Sequence, residues 1–149
     1  RSISRYGPRK FYVLNTGIST VGPLKAAAEE LSKAGLVLCY LNLSDVDKKL
    51  PAGLLSEEGG THADEAETSE MLFIAPETVN MSKAVKDYDP RPNRRGLTRD
   101  PKGPGVYSPT GIWGDPTLAT KEKGRIIVET TVKEIVAQVN ELIRMKIEK

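Results

Sequence analysis

Histidine and cysteine are almost missing from this sequence: its 149 residues hold one of each, His62 and Cys39. A single cysteine excludes an internal disulfide. Its place in the apolar run Leu36-Val37-Leu38-Cys39-Tyr40-Leu41 predicts a buried, inert thiol. Neither sign of charge is in excess: 22 basic against 20 acidic side chains leave a net charge of +2, so no general attraction to nucleic acid or to a membrane surface follows. The nearest thing to a basic patch is Arg91-Pro92-Asn93-Arg94-Arg95, extended by Arg99 and Lys102. Without interleaved aromatics it reads as a solvated loop rather than a phosphate groove. No apolar stretch approaches the roughly 20 residues of a membrane span. No secretory signal is read, and a start at Arg1 leaves room for a removed leader. These absences are compatible with a cytoplasmic setting.

What is present suits a soluble globular chain, 38% hydrophobic and 28% charged, long enough for one domain or a large part of one. Phe11 to Asn15 is a short apolar run ending in polar residues, as expected of a buried strand. Thr16-Gly17-Ile18-Ser19-Thr20 reads as a strand-to-helix turn. Leu24, Ala27, Ala28 and Leu31 then form one helical face, with Pro23 in the first turn and Gly35 as the stop. Leu36 to Leu43 reads as a second buried strand. The expectation is a βαβ unit with parallel strands, both interior to a sheet covered on its two faces.

Ser44 to Gly60 reads as a loop, followed by a helix from about Ala63 to Ala75 that Pro76 ends. Residues 86–114 form a long arm rich in proline and glycine, and such arms serve as lids, partner contacts or disordered segments. Asp115-Pro116-Thr117 opens a final helix over 117–147, with an apolar stripe of Val128, Val132, Ile135, Val136, Val139, Leu142 and Ile143. Arg1 to Arg9 reads as the tail of a preceding helix, and two parallel strands make no stable sheet without neighbours. The fold class expected is therefore α/β, a mainly parallel sheet flanked by helices, with residues 1–149 as the C-terminal part of a larger domain. Alone, such a chain is expected to aggregate or expose apolar surface.

The most informative segment is Gly59-Gly60-Thr61-His62-Ala63-Asp64-Glu65-Ala66-Glu67-Thr68-Ser69. A flexible glycine turn, an imidazole and several carboxylates within eleven residues are side-chain types that do acid-base work or bind metals. Plainer readings stand beside this one. A lone loop histidine is commonly structural or solvated, and Asp64 and Glu65 in a first helical turn favourably meet the helix N-terminus without any chemistry. Trp113 lines a site or simply packs at a helix start.

Three blocks of sequence resemble the creatininase (creatinine amidohydrolase) family over essentially all 149 residues. They are Val13-Leu14-Asn15-Thr16-Gly17; His62-Ala63-Asp64-Glu65-Ala66-Glu67-Thr68-Ser69 followed by Pro76-Glu77-Thr78-Val79-Asn80-Met81; and Gly114-Asp115-Pro116-Thr117-Leu118-Ala119-Thr120 with Glu122-Lys123-Gly124. The resemblance implies an α/β hydrolase, typically hexameric, that uses a divalent metal pair (zinc, manganese or iron) to cleave C–N bonds of cyclic amides, formamides or peptides. It implies His62 and Glu67 as catalytic residues, Glu67 also as a metal ligand, and Asn15, Thr16, Ser19 and Thr68 as contacts to a small-molecule substrate. The same resemblance places Gly17 and Ser19 where the family carries a ligating histidine and glutamate. It therefore implies that the metal is held mainly by an N-terminal half of the fold, supplied as a separate or cleaved chain.

Three functions follow: an amidohydrolase completed by that other half, a binding or scaffold subunit that has lost the ligands, or a branch with different chemistry using one metal or none. On the first, His62 is expected in a cleft within reach of Glu67 and of the turn Asn15–Ser19.

Overall fold

A computed structural model of the protein describes residues 1–88 and 96–147, so the basic run Arg91–Arg95 lies outside the described residues. The chain divides into two compact units, Arg1–Lys49 with Thr130–Lys149, and Leu50–Glu129.

The first unit is the expected βαβ. Strand β1 (Lys10–Val13), helix α1 (Val21–Ser32) and strand β2 (Val37–Tyr40) follow one another, and β1 pairs with β2 in parallel, Lys10 opposite Val37 and Val13 opposite Tyr40. Gly35 stops α1 as read from the sequence. It takes φ +65°, and the Leu36 N–H donates back to the Leu31 carbonyl at 3.1 Å, closing the helix in the manner of a Schellman motif.

Both strands are shorter than expected. β1 stops before Asn15, because the Asn15 side chain leaves the ladder: its amide donates to the Leu41 carbonyl at 3.1 Å and to the Gly17 carbonyl at 3.0 Å. β2 stops at Tyr40, because the chain turns at Asn42 into a short helix α2 (Leu43–Asp47) that buries Val46. Neither strand is interior among the described residues. Each has one partner and is half-buried throughout. Cys39 is likewise half-buried rather than fully so; burial, helped by Glu141, raises its thiol pKa and keeps it protonated.

The second unit holds helix α3 (Glu65–Ile74), single 3-10 turns at Pro76–Thr78, Met81–Lys83 and Pro116–Leu118, and a two-residue parallel ladder of β3 (Leu97–Thr98) with β4 (Val106–Tyr107). The proline- and glycine-rich arm is thus not wholly irregular. Val106 is buried, and its N–H donates to the Gly96 carbonyl at 2.7 Å.

The last helix, α4 (Lys121–Arg144), starts later than expected. The Asp115 carboxylate caps the 3-10 turn instead, accepting from the Thr117 N–H at 3.1 Å. The chain then extends at Ala119, and Thr120 caps α4 by accepting from the Lys123 N–H at 3.2 Å. In the expected stripe Leu142 is buried and Val128, Ile135 and Val139 are half-buried, whereas Val132, Val136 and Ile143 are 50%, 53% and 66% exposed. No helix among the described residues is long and apolar enough to cross a membrane.

Candidate active site

Three backbone segments of the second unit are laced together around His62. The His62 N–H donates to the Trp113 carbonyl at 3.2 Å, and the Trp113 N–H donates to the His62 carbonyl at 2.8 Å. This antiparallel bridge directs both side chains to the same face. On its other side the strap continues into a second bridge, where Asp87 and Gly114 exchange N–H to carbonyl bonds of 3.0 Å each. The Asp87 carboxylate holds the end of the arm as well, accepting from Ser108 Oγ at 2.8 Å and Thr110 Oγ1 at 2.6 Å.

The approach is close enough to require glycine. A Cβ on Gly60 would lie 2.7 Å from the Gly114 Cα and the Trp113 carbonyl oxygen, and one on Gly114 would lie 2.3 Å from the Asp64 Cβ.

From this strap the chain passes directly into α3. Ala63 takes φ +49°, a left-handed conformation that costs a residue with a Cβ about 1–2 kcal/mol. Its N–H donates to Glu67 Oε2 at 2.6 Å, while the Glu67 N–H donates to Asp64 Oδ1 at 2.9 Å. This is close to a capping box, with Asp64 as N-cap and Glu67 three residues on. The same Glu67 oxygen lies 4.0 Å from His62 Nδ1, too long for a hydrogen bond but within ion-pair range if the imidazole is protonated, and the two side chains are 53% and 52% exposed. The two residues expected to be catalytic are therefore neighbours, with Thr68 half-buried on the same helix.

Glu65, two residues before Glu67, has the opposite environment. It is completely buried. Its Oε2 accepts the N–H groups of Ser56 and Glu57 at 2.8 Å each, and its Oε1 pairs with the Lys123 ammonium. Burial by itself would push this carboxyl up, but the Lys123 hydrogen bond and the two backbone donors outweigh it and hold its pKa below the usual carboxylate value.

Next to it, Glu57 is shifted the other way. Burial is the main cause of its raised pKa, with the Asp64 and Glu65 carboxylates adding to it and N–H donation from Asp115 and Glu65 opposing it. Ser69 is also buried, its hydroxyl accepting from the Thr120 N–H at 3.1 Å. Gly124 packs so closely on the Ser69 carbonyl that a Cβ there would fall 1.8 Å from the oxygen.

Sequence reasoning did not single out Glu57, and it gave Lys123, Ser69 and Gly124 no role of their own. A glycine inside an otherwise helical pattern was the one available signal, since it commonly marks a close backbone approach.

In the first unit, Asn15 is buried and committed to its own turn: besides its two donations it accepts from the Gly17 N–H at 3.4 Å and from Thr20 Oγ1. Thr16 and Ser19 are exposed on that turn. Among the described residues no group of three or more His, Cys, Asp and Glu side chains could hold a metal ion. The His62–Glu67 pair supplies two donors only, so these residues by themselves do not fit a metal.

The chain is similar to a putative creatinine amidohydrolase of Bacteroides fragilis NCTC 9343, with 25% identity and a TM-score of 0.71, over 99% of this chain and 59% of that one. A creatininase in a manganese form superposes with a TM-score of 0.71 at 22% identity, over 97% of this chain and 60% of the other; another solved creatininase is a zinc form. A mycofactocin precursor peptide peptidase of Mycobacterium ulcerans (strain Agy99) is 36% identical in a match of 90 residues that covers 56% of this chain and 34% of that protein. The chain thus spans about three-fifths of the solved structures and a third of the curated relative. The family model for creatinine amidohydrolase matches residues 1–139, and the chain belongs to the creatininase family.

Proposed function

We propose that this chain forms part of a creatininase-type amidohydrolase that breaks a C–N bond of a cyclic amide or a related small molecule. The observation that carries this reading is the presentation of the sole imidazole. His62 has its backbone held at both its N–H and its carbonyl by Trp113, its ring half-exposed, and a carboxylate 4.0 Å from Nδ1. An imidazole held this way can orient a nucleophilic water or pass a proton to the leaving nitrogen. When it takes up a proton, Glu67 is the anion beside it, a modest stabilisation for a half-exposed pair. The C–N bond is common to both kinds of named relative, an amidohydrolase and a peptidase.

A divalent metal, zinc, manganese or iron, belongs to this reading through the family. Glu67 is the local candidate ligand, and the remaining ligands come from outside this chain, in the part of the family fold that it does not span. The steps assigned here are those that His62 and Glu67 perform themselves. By motif position, Thr68, half-buried on the helix that carries Glu67, is assigned to substrate contact. A homo-oligomer in the cytoplasm completes the proposal.

A scaffold role is favoured by specific observations: Gly17 and Ser19 offer no ligand, and Asn15 spends its polar groups on its own turn. Metal analysis and amide hydrolysis on the protein purified with any partner chain separate the two. Bound divalent metal with turnover of a cyclic or linear amide supports the hydrolase, while a metal-free protein inactive on all such amides supports the scaffold.

A further inference from the structure

We infer that Glu57 is the positioning residue of the His62 site, clasping by one carboxylate oxygen the two segments that form the His62–Trp113 bridge. Its Oε2 accepts the Asp115 N–H at 3.0 Å and the Glu65 N–H at 3.3 Å. Asp115 follows the strap of Trp113 and Gly114, and Glu65 follows the segment from His62 to Asp64. The two donors therefore fix the downstream end of each bridge partner. Both belong to buried residues, Glu65 at 0% and Asp115 at 6% exposure, so losing their acceptor leaves two unsatisfied N–H groups away from water.

Space enforces the same clasp. The Cβ of any residue replacing Gly114 would come within 2.9 Å of Glu57 Oε2, and one replacing Gly60 within 3.1 Å. Glu57 is itself anchored, its N–H donating to Glu65 Oε2 at 2.8 Å. The Glu57 and Glu65 segments therefore bind each other reciprocally, and the Glu65 carboxylate is tied to α4 through Lys123. Glu57 touches neither His62 nor Glu67 through any hydrogen bond described for it. It acts through the backbone, by setting where the imidazole stands.

This inference rests on the amidohydrolase reading only for its effect on turnover, because the geometric effect is read independently. His62 and Trp113 are the only histidine and tryptophan in the chain, so each gives an unambiguous signal. In the purified protein with any partner chain, Glu57→Ala removes the acceptor, Glu57→Gln keeps one of the same length, and Glu57→Asp keeps one too short to reach both donors. Trp113 emission and quenching, His62 imidazole resonances and far-ultraviolet circular dichroism are recorded for each, with kcat and KM on any amide the wild type turns over.

Glu57→Ala is expected to shift the Trp113 emission to the red and move the His62 resonances towards those of a free imidazole, with helix content kept. Its kcat should fall about 10²-fold, the cost of misplacing a group by about 1 Å, with KM little changed. Glu57→Gln should restore the wild-type signals. If Glu57→Ala does not fold, Glu57→Asp must show the shifts instead. Wild-type Trp113 and His62 signals in Glu57→Ala or, failing that, in Glu57→Asp would overturn the inference, as would Glu57→Gln behaving like Glu57→Ala. Shifted signals with no amide turned over by the wild type would leave the clasp standing and count against the amidohydrolase reading.

Discussion

The βαβ of the first unit and the clasp of the second are held by different forces. In the first, a parallel ladder and an apolar helix face do the work, with Asn15 satisfying groups at Gly17, Thr20 and Leu41 and the exposed or half-buried ties Lys10–Ile143, Tyr12–Gln138 and Lys49–Glu134 beside them. In the second, the buried Glu65 carboxylate and the half-buried Glu57 carboxylate join segments far apart in sequence, Glu65 to Lys123 and Glu57 to Asp115, and glycines let backbones touch. Both units leave apolar side chains in solvent, Leu14, Ile18, Val132, Val136 and Ile143 in the first and Met71, Ile74 and Leu97 in the second. The second aims its polar groups inward and keeps one imidazole outside. A fold element can be built from periodic apolar residues, but a site has to be pinned by groups whose loss leaves a partner buried and unsatisfied.

If that contrast is right, the largest stability loss should come from Lys123→Met, which strands the buried Glu65 carboxylate. We expect about 3–5 kcal/mol from breaking such a pair, read by urea unfolding of the second unit through Trp113 fluorescence. Gly124→Ala should follow at about 3 kcal/mol, the upper part of the range for overpacking, because its Cβ would collide with the Ser69 carbonyl. In the first unit, Asn15→Ala should cost about 1–3 kcal/mol by orphaning buried backbone groups, measurable by circular dichroism while the Trp113 signal stays in place.

A signed pH effect comes next. The Glu65 pKa is lowered by folding, so its stabilisation is present above the ordinary carboxylate range and is lost as pH falls through the lowered value. Glu57 is raised by folding, so its contribution is present below its unfolded pKa and is lost as pH rises through the raised value. Glu57→Gln should therefore leave the acid-side loss in place and remove the opposing trend, seen in urea midpoints taken from neutral pH down to below 4. The smallest effect belongs to the exposed stripe: Val136→Ser should change stability by no more than about 0.5 kcal/mol while reducing the binding of an apolar dye.

How much of this could be read in advance follows the same division. The strand, helix and stop of the βαβ were legible because apolar spacing and Gly35 report on local geometry. Strand ends were misplaced because Asn15 and Asn42 redirect the chain through particular hydrogen bonds that composition does not encode. His62 and Glu67 were legible as a pair because only four residues lie between them in one family-like block. Glu57 was not, since its partners lie at Glu65 and at Asp115, and nothing in Ser56-Glu57-Glu58 distinguishes the clasping carboxylate from the exposed one beside it. Glu65, read as a simple companion of the helix N-terminus, is a buried half of a long-range ion pair.

The central claim is that His62 handles the proton in C–N bond hydrolysis. Its most direct test compares turnover of a cyclic or linear amide by the wild-type protein and by His62→Ala, both purified with any partner chain and both showing the same helix content. A fall in kcat of about 10²–10⁴-fold is predicted, the usual contribution of a positioned acid-base group, and at least about tenfold is required. Unchanged turnover in His62→Ala would contradict it.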